Sequence, residues 1–232
     1  MNFLLTNDDG IDAPGLAALR EAVAGLTAGR VAIAAPAGPM SECGHTVTTG
    51  KPIRTERLGE NEIAVHGSPA DCARVVLRGE VFPDFVPDWV LSGVNRGGNL
   101  GVDIYYSGTV AAAREAAILG ARSMAISHYV RKELEIDWAA ATRRAISVMT
   151  QLMEAPLAAG EFWNINLPHL DAGAAEPEAL QCERSRKPLP VKFESGENTL
   201  NYAGLYAGRE FEPGSDVAEC FGGKIAVSKM TI

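Results

Sequence analysis

Short, almost wholly apolar runs alternate with stretches of helical spacing through the first two-thirds of this chain, and few architectures accommodate that order. Phe3-Leu4-Leu5, Val31 to Ala35, Ile63-Ala64-Val65-His66, Trp89-Val90-Leu91, Met124-Ala125-Ile126 and Trp163-Asn164-Ile165-Asn166 read as strands. Helices fall between them. Pro14 opens one, with Leu16, Leu19, Val23 and Leu26 on one face and Gly29 as its expected stop. Ser68-Pro69-Ala70-Asp71 supplies a cap, a first-turn proline and an acidic third position before Val75-Val76-Leu77. Ser107-Gly108-Thr109 opens an alanine-rich helix to Leu119, stopped by Gly120. Asp137 caps a long helix with Trp138, Ala141, Ala145, Val148 and Leu152 on one face, and Met149 and Met153 read as core. Strands that are apolar on both sides need cover on both sides, so the expected class is α/β: a mostly parallel sheet with helices on both faces.

The pattern changes after Pro168. Residues 169–232 carry glycine, proline and charge without helical periodicity, and Val191-Lys192-Phe193 and Ile225-Ala226-Val227 read as hairpin-like extended arms. The expected division is a catalytic core over 1–168 and C-terminal arms over 169–232 that pack on the core or on another subunit. The segment from Thr46 to Thr49, with Ile53, is expected to be extended.

Composition narrows the partners. The 232 residues carry 21 Lys and Arg against 29 Asp and Glu, a formal charge of −8. That balance argues against a protein that wraps a nucleic acid polymer. No apolar run approaches the ~18 residues of a membrane span. The opening residues turn acidic without a basic leader region, and Cys43, Cys72, Cys182 and Cys220 form no CxxC pair, so a cytoplasmic protein with reduced thiols is expected. Cys43 and His45 have the spacing of half a metal site, but a lone C-x-H is more often incidental.

In an open parallel sheet, ligands bind beyond the carboxyl ends of the strands. The residues expected there are Asn7-Asp8-Asp9-Gly10, the loop from Pro36 to His45, Gly67-Ser68-Pro69, Ser92 to Asp103, and Ser107-Gly108-Thr109. The set is rich in oxygen donors and small residues. Asp8 and Asp9 are adjacent and repel unless a cation sits beside them, and a hard divalent ion such as Mg²⁺ or Mn²⁺ suits carboxylate, amide and hydroxyl oxygens. Asn95 and a loop hydroxyl such as Ser41 can complete its shell. Taken alone, Asp8-Asp9-Gly10 reads more readily as a turn with capping carboxylates, and it is its place after the first buried strand that favours a site. The glycines of Asn95-Arg96-Gly97-Gly98-Asn99-Leu100-Gly101 and the helix start at Ser107-Gly108-Thr109 suit close approach to an anion. Neither segment matches a Walker A or GxGxxG pattern.

Leu5-Thr6-Asn7-Asp8-Asp9-Gly10-Ile11, Gly67-Ser68-Pro69-Ala70-Asp71-Cys72, Ser92 to Gly101, Tyr106-Ser107-Gly108-Thr109-Val110 and Asn164-Ile165-Asn166-Leu167-Pro168 resemble the SurE survival-protein phosphatases. The likeness is colinear from residue 3 to about 127, whereas Gly214 to Ile232 matches the family's closing segment only loosely. The resemblance implies a Rossmann-like core and a metal-dependent 5′- and 3′-nucleotidase that also takes other phosphate esters, including short polyphosphate. It implies one divalent ion per subunit held by Asp8, Asp9, Ser41 and Asn95. Ser107, Gly108 and Thr109 would hold the phosphate, with Asn99 in the same matched block. It further implies homodimers or homotetramers made through the C-terminal arms. The loop Ala37-Gly38-Pro39-Met40-Ser41-Glu42-Cys43-Gly44-His45 departs from the family's pattern, because Glu42 adds a negative charge beside Ser41.

The expected reaction is hydrolysis of a nucleoside monophosphate at that acidic pair. Two other chemistries use acids after a first strand. A phospho-aspartate phosphatase of the haloacid dehalogenase type wants Asp-x-Asp and a later lysine, where this chain has adjacent acids. A receiver-like phospho-acceptor signalling module wants an aspartate at a mid-sheet strand end, where this chain has Asn95, and is usually much smaller.

Overall fold

The computed structural model describes residues 1–26, 28–131 and 134–232. Nine strands form one sheet: β1 (Phe3–Thr6), β2 (Val31–Pro36), β3 (Arg54–Gly59), β4 (Glu62–His66), β5 (Trp89–Arg96), β6 (Ser123–His128), β7 (Glu161–Leu167), β8 (Ala179–Gln181) and β11 (Ile225–Thr231). The order across it is β3-β4-β2-β1-β5-β6-β7-β11-β8. From β4 to β7 every neighbour is parallel. The strands run outward from β1 to β4 on one side and from β5 to β7 on the other, which makes this a doubly wound sheet with a switch point between β1 and β5.

Helices α1 (Pro14–Ala24) and α4 (Trp138–Glu154) cover one face; α2 (Pro69–Arg78) and α3 (Gly108–Ile118) cover the other. The side chains sort accordingly. Phe3, Leu5, Leu91 and Trp163 point to the first face with Leu19 and Val148, while Leu4, Val90 and Val65 point to the second with Val76. This alternation along strands buried on both sides is what their unbroken apolar sequence requires.

Four expectations differ in detail. Helix α1 ends at Ala24 with Gly25 as its cap, not at Gly29, and Leu26 joins the core from a turn on the Val23 carbonyl. Thr27, within the expected helix, lies outside the described residues. No strand forms over 46–49; the strand is β3, exposed along its length, paired antiparallel with β4 and polar because it is the sheet's edge. Residues 225–231 are not an arm. They form β11, antiparallel to β7, and β8 extends the sheet beyond it, so the sheet crosses the expected boundary at 168. The projecting arm is the hairpin of β9 (Phe193–Gly196) and β10 (Thr199–Tyr202), and a short helix, α5 (Asp216–Phe221), is capped by Ser215. Six residues are too few to show helical periodicity, so this helix was not expected from the sequence. Among the described residues no helix is long and apolar enough to cross a membrane.

Gly15 shows how closely α1 approaches the switch point. A Cβ there would stand 1.9 Å from the Val94 carbonyl oxygen, which is backbone and cannot swing away. Gly15→Ala is therefore expected to cost about 1–3 kcal/mol through overpacking. A lower urea midpoint at unchanged slope would register it.

Candidate active site

At the switch point the chain leaves β1 through Asn7, whose side chain closes a turn. Its Oδ1 accepts from the Gly10 amide at 3.2 Å and its Nδ2 donates to the Gly10 carbonyl at 2.8 Å. This turn holds Asp8 and Asp9 at the sheet's rim. Asp8 is buried and Asp9 half-buried. The Thr109 hydroxyl donates to Asp8 Oδ1, and the Thr109 amide also faces that carboxylate, so the start of α3 is aimed at Asp8. Gly108 lies against the other oxygen: a Cβ on it would stand 3.0 Å from Asp8 Oδ2 and 2.8 Å from Asp8 Cβ. Only hydrogen fits there. The acidic pair and the glycine-lined helix start, separated by about a hundred residues in the chain, thus meet at Asp8.

Asp9 faces the neighbouring strand, where its Oδ2 accepts from the Arg96 amide at 3.0 Å. The β5–β6 register slips between Ser92 and Asn95, and that bulge brings Asn95 to the rim. Asn95 Nδ2 donates to the Gly97 carbonyl at 2.8 Å, and among the described residues no donor is bonded to its Oδ1, the end a cation would use. Ser41 is exposed on the loop after β2, next to Met40, whose amide donates to the Asp8 carbonyl at 2.8 Å. The oxygens of Asp8, Asp9 and Asn95 thus line one rim, with Ser41 one residue from a direct contact to it.

Burial pushes the Asp8 carboxyl up to about 6, and the charge of Asp9 adds to the rise, against the lowering contacts from Thr109. No ion pair reaches Asp8 or Asp9 among the described residues, and no cluster of three or more His, Cys, Asp and Glu offers another metal site. Two adjacent carboxylates, one buried and neither matched by a basic side chain, form a donor set that fits a hard divalent cation.

The remaining expected site residues fall into different roles. Ser107 Oγ accepts from the Val110 amide at 3.0 Å, capping α3 and leaving its hydroxyl hydrogen free to donate. Thr109 is fully buried behind Asp8, so its hydroxyl positions that carboxylate. Asn99 turns inward: its Nδ2 donates to Ser127 Oγ at 2.7 Å, its amide to Asn166 Oδ1 at 2.7 Å, and its carbonyl accepts from Asn164 and Asn166. It pins the loop to the ends of β6 and β7. Cys43 and His45 do not make a ligand pair. His45 Nε2 lies 2.8 Å from Glu115 Oε2, while the Cys43 thiol, pushed up by burial, borders Gly108.

Sequence reasoning missed the groups that hold the loop after β2. Asp71, besides completing its own helix cap with Ser68, accepts from the Thr48 amide at 2.9 Å and the Thr48 hydroxyl at 2.8 Å. Glu115 takes His45 on one oxygen and Arg74, at 3.5 Å, on the other. The Ser68–Asp71 cap was legible; its second duty was not. A cavity of about 480 Å³ beside β8 and β11, lined by Arg184, Arg186 and Lys229 among others, includes none of the switch-point residues.

A doubly wound α/β protein with an acidic rim and an anion-friendly helix start at its switch point is the class that fold and site define. The family profile described as "Survival protein SurE" matches residues 3–187. A Synechocystis sp. protein, provisionally named a 5′-nucleotidase, is 48% identical over 100% of both chains. The 5′-nucleotidase SurE of Geotalea daltonii is 41% identical over 80% of this chain and 73% of its own. The crystal structure of the SurE protein from Aquifex aeolicus superposes with a TM-score of 0.85 at 30% identity, covering 100% of this chain and 93% of that one. The chain belongs to the SurE family.

His128, at the end of β6, accepts the Gly97 amide on its carbonyl at 3.0 Å and donates from Nδ1 to the Tyr129 carbonyl at 2.7 Å. Burial holds its imidazole down at about 4, against an ordinary 6.5, so the folded chain keeps it neutral. Between those values the unfolded state binds a proton that the folded state refuses, and stability must fall as pH drops from 6.5 toward 4. The loss is on the order of 3 kcal/mol. His128→Gln should flatten that part of the stability–pH curve, measured by urea unfolding at half-unit steps.

Proposed function

We propose that this chain is a divalent-metal-dependent 5′-nucleotidase that hydrolyses nucleoside monophosphates to nucleoside and phosphate. The observation that carries the reading is the contact of Gly108 and Thr109 with Asp8, which joins the anion cradle to the acidic pair. The names of the relatives from Geotalea daltonii and Rhizorhabdus wittichii support the nucleotide substrate.

Asp8, Asp9 and Asn95, with Ser41 from the neighbouring loop, would hold the cation. When bound, it supplies Lewis-acid polarisation of the phosphoryl oxygens. The chain's own groups do the rest. Hydrogen at Gly108 lets the start of α3 lie directly against Asp8, so a phosphate held at that helix start would sit beside the carboxylate. The first turn of α3, buried from Ser107 to Ala111, and the Ser107 hydroxyl would offer donors to its oxygens. Asp8 Oδ2, the oxygen not taken by Thr109, orients a water and takes its proton as the water attacks phosphorus in line. The bond from phosphorus to the sugar oxygen breaks, that oxygen takes a proton from solvent to leave as the alcohol, and Asp8 gives up to solvent the proton it took.

The same pocket touches only the phosphate in this scheme, so 3′-monophosphates and short polyphosphate are also proposed substrates. The four unpaired cysteines suit a reducing cytoplasm. Val191, Phe193, Leu200, Tyr202 and Leu205 are exposed on and beside the β9–β10 hairpin, which supports a homodimer or homotetramer assembled through this arm.

Phosphate release from nucleoside 5′- and 3′-monophosphates should require Mg²⁺ or Mn²⁺ and stop with a chelator. Asp8→Asn should lower kcat at least a hundredfold while keeping the wild-type circular dichroism spectrum. Turnover at the wild-type rate in that variant would remove the scheme. A single labelling of the protein without turnover would instead mark a receiver-like phospho-acceptor.

A further inference from the structure

The loop that carries the cradle, from Gly97 to Ser107, has little hydrogen bonding of its own beyond a 3₁₀ turn at Gly101–Tyr105, yet it is buried at Asn99, Leu100, Gly101 and Asp103. What holds its outer half comes from the far end of the chain. The Arg209 guanidinium, with no exposed surface, places Nη1 at 3.0 and 2.8 Å from the two carboxylate oxygens of Asp103 and Nη2 at 3.3 Å from the Leu100 carbonyl. The Tyr206 hydroxyl donates to Asp103 Oδ2 at 2.5 Å. Asp216 adds a second tie, accepting from the Gly101 amide at 2.7 Å and from Ser185 at 2.8 Å.

Asp103 passes this restraint on. Its backbone carbonyl accepts from the amides of Tyr106, at 2.9 Å, and Ser107, at 3.0 Å. Ser107 caps α3, and the next two residues are Gly108 and Thr109, which touch Asp8. An unbroken path of hydrogen bonds and peptide links thus runs from Arg209 to the acidic rim.

We propose that Arg209 is a positioning residue for the phosphate cradle, acting through Asp103 and assisted by Tyr206, so that the segment after residue 200 completes the reaction site as well as packing on it. The inference rests on the reading of the pocket as a phosphate site. A carboxylate that only needed neutralising could be served by a lysine at the surface. Here a planar fork inserts between Asp103 and the Leu100 carbonyl, and a Cβ on Gly101 would stand 3.0 Å from its Nη2. That geometry fixes the loop's place as well as its charge.

The test uses the full-length protein with Arg209→Met, Arg209→Lys and Tyr206→Phe, inorganic phosphate as competing ligand, and amide hydrogen exchange as a readout independent of activity. Arg209→Met should raise both KM and the inhibition constant of phosphate at least tenfold, with a smaller fall in kcat. Arg209→Lys should recover part of that loss, and Tyr206→Phe should give a weaker effect of the same kind. Amides of 101–110 should exchange at least tenfold faster while those of β1 and β5 keep their protection. Should Arg209→Met not fold, Arg209→Lys and Tyr206→Phe carry the same comparison. Unchanged phosphate inhibition in folded variants, or faster exchange spread evenly over the sheet, would reduce Arg209 to a packing role and overturn the proposal. Absence of phosphate release from the wild type would refute the nucleotidase reading, and unchanged protection at 101–110 would still refute the clamp separately.

Discussion

Everything at the sheet's rim depends on keeping one carboxylate, Asp8, buried beside a second, Asp9. Burial in an apolar surround disfavours charge, and an adjacent like charge disfavours it further. The fold sustains the arrangement by aiming the start of α3 at Asp8 through the Thr109 hydroxyl and amide. Those donors ease the strain without cancelling it, since the carboxyl still stands above its ordinary range. Unmet negative charge of this kind suits the cation proposed for the site, and on that proposal the stability lost to holding it open would be the counterpart of affinity for the ion.

That arrangement explains features elsewhere that would otherwise look incidental. Gly108 has no side chain because Asp8 occupies the space. Gly15 has none because α1 must pass close beneath Val94, one residue before Asn95. Asp9 reaches across to the Arg96 amide and so ties the exit of β1 to the exit of β5, the two strands that part at the switch point. The bulge in β5 then presents Asn95 at the same rim. Each of these is a local departure from regular packing, and together they crowd the reactive groups into one place.

The loops around the pocket are held by charged side chains with several partners each. Asp71, Asp103 and Asp216 all accept backbone amides from loops that cannot form a ladder of their own. A buried carboxylate that accepts two or three donors orders a loop more firmly than an apolar contact, because it fixes direction as well as distance. These ties hold irregular loops at the rim, where β5 is itself bulged between Ser92 and Asn95.

Much of this was readable in the linear chain. Alternating apolar runs and helical spacing announced a covered parallel sheet, because strands buried on two faces are mostly apolar. Asp8, Asp9, Asn95 and the Ser107-Gly108-Thr109 start were visible too, since strand ends and helix caps are written in neighbouring residues. The exposed strand β3 left no apolar trace, and β11 resembled a free arm because its pairing partner, β7, lies some sixty residues earlier. Thr109 as the partner of Asp8, Asn99 as an anchor in the wall, and Arg209 beneath Asp103 emerged only in three dimensions. Local chemistry declares which residues can react; which of them touch is set by how the sheet winds and where its distant ends return, and no spacing along the chain encodes that return.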